Sequence, residues 1–146
     1  LIVDLDYHQG NGNLLYFRND ESVFTFSMHA DNWAGEIKKV NNVDIELPSH
    51  IKDPEYLKIL DSEIRRIFSI FRPDLVIYLA GSDPYIEDTL GDFDLSEEGM
   101  LERDMFVYRQ VRQRRIPLVV LGAGGYGPES WRIYFNFIRR VIWKGR

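Results

Sequence analysis

The chain has 146 residues, about the length of one domain, and its 45% hydrophobic and 28% charged residues are ordinary for a globular protein. Its net charge of −5 argues against generic nucleic-acid binding, and no apolar run reaches the roughly 18 residues of a membrane span. The sequence contains no Cys, which excludes disulfides and restricts a zinc site to His, Asp and Glu ligands. This composition is compatible with the cytoplasm, where we expect the protein to reside.

The N-terminal third predicts three strands. Residues 1–5 form a buried apolar strand, and after a glycine turn residues 13–17 form a short helix. Residues 22–28 are rich in β-branched and aromatic side chains and predict a second strand, followed by a loop over residues 29–41. Residues 43–47 alternate apolar and acidic side chains, which is typical of a half-exposed edge strand.

A long helix follows, with Asp53 as the expected N-cap and Pro54 at the first helical position. Its apolar face is predicted to comprise Leu57, Leu60, Ile64, Ile67 and Phe71. Residues 75–80 are continuously apolar, which indicates a strand covered on both faces. Residues 81–95 then form a long loop.

The C-terminal part predicts a further helix, strand and helix. Ser96 caps a helix that runs to about Arg114, and residues 116–121 form another buried strand. A glycine loop over residues 122–127 leads into a last helix beginning at Pro128. We expect three of its side chains to face the core: Trp131, Phe135 and Ile138. The alternation of strands and helices predicts one α/β domain over residues 1–146 with a parallel sheet.

Two acids and an imidazole occupy alternate positions at and just beyond the end of the first strand. Asp4, Asp6 and His8 project from one face of an extended chain, where burial requires a compensating cation. Their mixed oxygen and nitrogen donors suit a divalent metal, above all zinc. The alternative is a sheet-end Asp cluster that caps a helix or accepts backbone N–H groups.

Two more strands are followed by residues that are able to bind a metal or take part in catalysis. Asp83 follows the strand over residues 75–80, and the glycine loop carries Tyr126. Because parallel strands end at the same sheet edge, Asp6, His8 and Asp83 can converge and leave a fourth position open, as in catalytic zinc sites. Tyr126, on a loop we expect to be flexible, could donate to a developing oxyanion. Taken alone, it is better explained as a packing residue, but the convergence of the three loops favours the functional role.

The glycine loop has a competing interpretation. Gly122, Gly124 and Gly127 satisfy G-x-G-x-x-G between a strand and a helix, the pattern of a dinucleotide-binding turn. That site also requires an acidic residue about 20 positions further on, at the end of the next strand. The sequence shows neither that strand nor that acid, so this interpretation is the weaker one.

The motifs resemble the zinc-dependent histone deacetylase family. The matching segments are residues 4–12, with the sequence DLDYHQGNG, residues 80–84 with Asp88 and residues 90–91, and Gly124-Gly125-Tyr126. They occur in family order, and the QGNG segment is most similar to class IV and bacterial members. The match covers the C-terminal part of the family's catalytic domain. We therefore expect a three-layer, parallel-sheet arginase/deacetylase-like fold that is incomplete at its N-terminus.

The resemblance implies hydrolysis of N-acetyl-lysine or a related acyl amide. It makes Asp6, His8 and Asp83 the zinc ligands and Tyr126 the residue that polarises the substrate carbonyl. Asp4 would hydrogen-bond a catalytic histidine. The expected substrate-binding residues are Gly124, Gly125 and His29.

The resemblance also implies a potassium site beside the zinc strand. The matching positions are Asp4, Asp6, His8, Ser27 and Met28, several through backbone oxygens. A second such site maps near Phe17, Asp20 and Val23. Asn11 stands where many relatives carry an Asp that pairs with a histidine, which weakens that contact.

The sequence departs from the family at the general base, which is one of two adjacent histidines. This chain has only His8, His29 and His50, none adjacent to another. His29 could line the site, whereas His50 lies in a predicted surface turn. We expect the chain alone to be weakly active or inactive. The alternative function is a binding or assembly module that self-associates or pairs with an N-terminal portion; the expected enzyme partners are acetylated lysine peptides or small acetyl amides.

Overall fold

A computed structural model of the chain describes residues 1–33 and 42–143, with only the backbone of Trp33 included. Five strands form one sheet in the order β3-β2-β1-β4-β5, and every neighbouring pair is parallel. The strands are β1 (Ile2–Asp4), β2 (Thr25–Ala30), β3 (Val43–Leu47), β4 (Val76–Leu79) and β5 (Leu118–Leu121). The helices are α1 (Asn11–Phe17), α2 (Asp53–Ile70), α3 (Glu97–Gln113) and α4 (Ser130–Trp143). The parallel α/β prediction is confirmed.

The connections place helices on both faces of the sheet. The chain moves from β1 to β2 in one direction, and from β3 through β4 to β5 in the other. Right-handed crossovers therefore put α1 on one face and α2 and α3 on the opposite face. This arrangement is the expected three-layer order, and β1 lies at its centre, between β2 and β4.

The main core lies between the sheet and helices α2 and α3. Alternate strand residues such as Val3, Phe26 and Tyr78 pack there against Leu60 and Ile64 of α2. The intervening positions of β1 and β2 point to the other face. Polar side chains are buried at these positions, namely Asp4, Thr25, Ser27 and His29.

Two predicted details of the first half were wrong. Strand β2 begins at Thr25 and extends to Ala30, so His29 lies in a strand although we expected a loop. The remainder of that predicted loop, residues 34–41, falls outside the described residues. Asp53 is the first residue of α2, and it does not cap that helix. Its carboxylate accepts hydrogen bonds from the Ser96 backbone N–H (2.9 Å) and hydroxyl (2.5 Å), which joins α2 to the start of α3.

The Ser96 cap is confirmed, because its hydroxyl accepts the backbone N–H of Gly99 at 3.0 Å. Strand β5, however, is largely exposed rather than buried. Within the described part of the chain it has a neighbouring strand on only one side. Its continuously apolar sequence therefore predicted more burial than the structure shows.

The face that α4 presents to the core was also predicted incorrectly. The helix begins at Ser130, and its buried side chains are Ile133 and Phe137. The expected core residues are instead exposed: Trp131, Phe135 and Ile138. Apolar residues lie on both sides of this helix, so periodicity alone cannot identify the side that contacts α3. None of the described helices is sufficiently long and apolar to cross a bilayer.

Candidate metal centre

Three potential ligands meet at the carboxyl edge of the sheet. One ligand atom from each of Asp6, His8 and Asp83 lies within 4.8 Å of the other two. The Nδ1 atom of His8 is 3.1 Å from Asp6 Oδ1 and 3.1 Å from Asp83 Oδ2. The predicted convergence of the loops after β1 and β4 is therefore present in the structure.

Backbone hydrogen bonds fix the loops that carry these side chains. The N–H of Tyr7 donates to Asp83 Oδ1 at 2.9 Å and directly links the first loop to the second. The N–H of His8 donates to Asp6 Oδ1 at 2.9 Å, and that of Gly124 donates to Asp6 Oδ2 at 2.5 Å. The carboxylates are thus oriented by backbone N–H groups from two loops, the one after β1 and the one after β5.

Two glycines make this close approach possible. A Cβ atom on Gly124 would overlap Asp83 Oδ2 and lie 2.7 Å from Asp6 Oδ2. A Cβ atom on Gly81 would lie 2.8 Å from each of the same two carboxylates. Neighbouring Gly125 has a φ of +153°, a conformation that side-chain-bearing residues rarely adopt.

The electrostatics of the cluster favour a bound cation. Burial, followed by repulsion from Asp6, raises the pKa of Asp83 to about 7. Burial also raises the pKa of Asp4, the last residue of β1 and two positions before Asp6, to about 7. A divalent cation would compensate this cost of ionisation. Two carboxylates and one imidazole form a three-ligand set that fits catalytic zinc.

Tyr126 lies next to the cluster. Its ring is perpendicular to that of His8, with 6.0 Å between centroids, and half of its surface is exposed. Desolvation, and then the charge of Asp83, raises the pKa of its phenol, so the hydroxyl keeps its proton at neutral pH. A neutral phenol is able to donate a hydrogen bond to a bound substrate.

Asp88 holds the loop of Tyr126 in place. Its Oδ2 accepts the N–H groups of Tyr126 (2.7 Å) and Gly127 (3.1 Å), while its Oδ1 accepts those of Leu90 and Gly91. The Thr89 hydroxyl donates to the Tyr126 carbonyl at 3.0 Å. The glycine loop is therefore tied to residues 88–91, whereas the sequence suggested a flexible loop. The sequence indicated Asp88 only as part of a motif.

The residues expected at the potassium site lie on two adjacent strands and, for Asp6 and His8, in the loop after β1. Asp4 in β1 is in register with Ser27 in β2, and both side chains are buried. Met28, the next residue of β2, is also buried. Asp4 Oδ1 accepts the backbone N–H of Asp6 at 3.1 Å, so the carboxylate helps shape the loop that carries Asp6 and His8. Near the second expected site, hydrogen bonds join Phe17 to Asp20 and Asp20 to Val23 in a turn.

His29, which we expected among the substrate-binding residues, has no exposed surface in this structure. It is fully buried in β2, where its Nδ1 lies 2.9 Å from the Ser27 hydroxyl and 4.0 Å from Asp44 Oδ1. His50 occupies an exposed turn with a φ of +60°, which agrees with the predicted surface turn, and its Nδ1 contacts Asp94. Sequence reasoning also missed Arg103, a fully buried cation of α3 that contacts both metal-ligand loops. The adjacent Arg103-Asp104 charges on a core helix face were the available signal.

Known proteins are similar to this chain in sequence. An uncharacterized protein of Picosynechococcus is 37% identical over 86% of this chain and 42% of its own length. Histone deacetylase 2 of Arabidopsis thaliana is 34% identical over 99% of this chain and 38% of its own. The chain thus spans about two fifths of the length of these relatives.

Solved structures give the same result. A histone deacetylase homologue from Aquifex aeolicus matches 96% of this chain and 40% of its own length, with 26% identity and a TM-score of 0.81. A homologue crystallised in complex with SAHA matches 94% of this chain and 39% of its own length, with 27% identity and a TM-score of 0.78. The sequence profile of the histone deacetylase domain matches residues 1–138. The chain therefore belongs to the histone deacetylase family and has its arginase/deacetylase-like α/β fold.

Proposed function

We propose that this protein takes part in zinc-dependent hydrolysis of N-acetyl-lysine or a related acyl amide. The observation that carries the proposal is the cluster of Asp6, His8 and Asp83, with all three ligand atoms within 4.8 Å of one another. Tyr126 beside His8 provides a hydrogen-bond donor next to that cluster. Substrates of this class are acetylated lysine peptides or small acetyl amides.

Each residue has a separate role in this proposal. Asp6, His8 and Asp83 would hold the ion, while the phenol of Tyr126 would donate a hydrogen bond to the substrate carbonyl oxygen and stabilise the developing negative charge. When bound, zinc would supply Lewis-acid polarisation and lower the pKa of water to about 7. The backbone of Gly124 and Gly125 would form the adjacent wall against which the acyl group lies.

General-base catalysis is the weakest part of the chain's chemistry. Its three histidines are His8, a proposed ligand, the buried His29 and the exposed His50. None of these matches the family's adjacent pair. Because general acid–base catalysis contributes roughly 100- to 10,000-fold, we expect turnover by this chain to be lower by about this factor than that of relatives with the adjacent histidine pair.

SAHA, the compound in one related crystal structure, provides a test that does not depend on turnover. The zinc-loaded protein should bind SAHA, and the metal-stripped protein and the Asp83→Asn variant should not. Calorimetric titration measures this directly. Equal SAHA binding with and without zinc would contradict the proposal.

The role of Tyr126 requires its own variant. Tyr126→Phe should lower residual hydrolysis of an acetyl-lysine peptide by about 100- to 1,000-fold, the usual effect of losing one oxyanion donor. Tyr16→Phe is the matched control, because Tyr16 lies exposed on α1. Unchanged turnover in Tyr126→Phe would remove this residue from the mechanism.

Potassium is a further part of the proposal. Asp4 and Ser27 present buried oxygen atoms in register on adjacent strands, and Met28 would add a backbone oxygen. A structural potassium ion there would raise the melting temperature when potassium replaces sodium at equal ionic strength. The same melting temperature in both salts would exclude the site.

A second candidate function is an assembly module. Its support is the exposed apolar surface of β5 and α4, which includes Val119, Leu121, Trp131, Phe135 and Ile142. Exposed strand edges and apolar faces favour association with another chain. Light scattering should then show concentration-dependent self-association, and a clean monomer at high concentration would count against this candidate.

A further inference from the structure

The buried cation Arg103 links the two loops that carry the candidate metal ligands. Its Nη1 donates to the carbonyl oxygen of Leu5 at 3.2 Å and to that of Gly81 at 2.8 Å. Leu5 directly precedes Asp6, and Gly81 lies two residues before Asp83. One nitrogen atom thus contacts the backbone of both loops just before their ligands.

The rest of the guanidinium group is fixed by a second contact. Nε of Arg103 donates to Asp104 Oδ1 at 2.9 Å, and Nη2 lies 2.8 Å from the same oxygen. Asp104 also accepts the Tyr78 hydroxyl at 2.5 Å from strand β4. The fork of Arg103 is therefore held at one end by α3 and β4, while its other end reaches the loops.

Stability alone is a poor explanation for a buried charge at this position. Desolvation largely offsets the Coulomb attraction of a buried ion pair, and apolar side chains of similar volume often serve as well. Arginine differs from such residues, and from lysine, in having several donors in a rigid planar arrangement. That arrangement allows simultaneous contact with Asp104 and with two carbonyl groups.

We propose that Arg103 is a positioning residue, which sets the separation of Asp6 and Asp83 by joining the loop after β1 to the loop after β4. This inference rests on the proposed zinc site. Outer-shell partners of this kind typically change metal affinity by 10- to 100-fold. The hydrogen bond from the Tyr7 N–H to Asp83 also joins the two loops, so it should depend on the contacts of Arg103.

The test compares Arg103→Lys with Tyr78→Phe in the full protein. The lysine keeps the charge but lacks the planar fork, whereas the control removes a buried hydrogen bond to Asp104 without altering a contact to either loop. Competition with a chromophoric chelator should show zinc affinity reduced by about 10- to 100-fold in Arg103→Lys and by less than about threefold in Tyr78→Phe. Equal affinities in the two variants would overturn the proposal.

A spectroscopic signature separates positioning from general destabilisation. The visible absorption bands of bound cobalt report ligand geometry, so they should shift in Arg103→Lys and remain unchanged in Tyr78→Phe well below the melting temperature. If Arg103→Lys does not fold, Arg103→Met, which removes the charge at similar volume, takes its place. A wild-type cobalt spectrum in the folded variant would contradict a positioning role.

Amide exchange distinguishes failure of this inference from failure of the zinc site. Absence of zinc binding by the wild type would refute the proposed function, yet the link between the loops would still be measurable. The Tyr7 amide should exchange at least about tenfold faster in Arg103→Lys than in Tyr78→Phe, because its cross-loop bond is loosened. Equal exchange would show that Arg103 does not hold the loops together.

Discussion

The carboxyl edge of the sheet at Asp6, His8 and Asp83 (the metal edge) and the β5–α4 edge are held by different kinds of contact. At the metal edge, backbone N–H groups from the loops after β1 and β5 orient Asp6 and Asp83, and Arg103 contacts the loops after β1 and β4. At the β5–α4 edge, apolar side chains such as Val119 and Phe135 remain exposed. Directional contacts specify a unique geometry at the first edge, whereas non-directional apolar contacts leave the second edge with two similar helix faces.

The largest expected effect tests which face of α4 belongs to the core. Phe137 is 4% exposed and packs near Tyr108, whereas Phe135 is 51% exposed on the same helix. Phe137→Ala should reduce the free energy of unfolding by about 3–5 kcal/mol, the usual result for a buried Phe. Phe135→Ala should change it by less than about 1 kcal/mol. Urea denaturation of both variants would reveal a reversed order if the other face were buried.

The second prediction concerns the metal edge. Asp83→Asn keeps the shape of the side chain and an oxygen for the Tyr7 N–H, but it removes a charged ligand. We expect zinc affinity to fall by more than about 100-fold, beyond the range for outer-shell changes. Asp61→Asn on the exposed side of α2 is the control with the same loss of charge. Similar zinc affinity in both variants would disprove the ligand assignment.

These differences explain what could be predicted from the sequence. Alternating Asp6 and His8 after a buried strand, and Asp83 after another, predict convergence because parallel strands end at one edge. The exposed positions of Trp131 and Phe135 could not be predicted, since apolar residues line both sides of α4. His29 was misplaced because a polar residue after an aromatic-rich segment resembles the start of a loop.

A third prediction uses two glycines of one loop. A Cβ atom on Gly124 would overlap Asp83, whereas one on Gly122 would meet only the Tyr134 ring end, at 3.9 Å. Gly124→Ala should therefore lower stability by about 1–3 kcal/mol and weaken zinc binding, because the carboxylates must move. Gly122→Ala should leave zinc affinity unchanged. Equal zinc affinity in the two variants would show that the loop does not constrain the ligands.

The last prediction is a pH dependence of the metal-free protein, which is at its smallest over a single pH unit. Because burial raises the folded-state pKa of Asp83 to about 7, the folded protein binds more protons than the unfolded chain between about pH 4 and 7. Its contribution to stability is fully present below the unfolded pKa and is lost as pH rises through 7. Asp83→Asn lacks this loss, so its stability relative to wild type should increase with pH by at most about 1.4 kcal/mol per unit.

Comparing the two proteins at each pH cancels the titrating groups that do not interact with Asp83. His29 acts in the opposite direction, since burial lowers its pKa, but it is common to both proteins. Chemical denaturation at several values between pH 4.5 and 8 provides the data. A constant stability difference across this range would contradict the raised pKa of Asp83.

Zinc content tests the central claim most directly. Elemental analysis of protein purified without chelator should give about one zinc ion per chain, as expected for a three-ligand site with an open position. The Asp83→Asn variant should retain almost none under the same conditions. A wild-type protein without zinc, even after the metal is added back and excess removed, would contradict a metal centre formed by Asp6, His8 and Asp83.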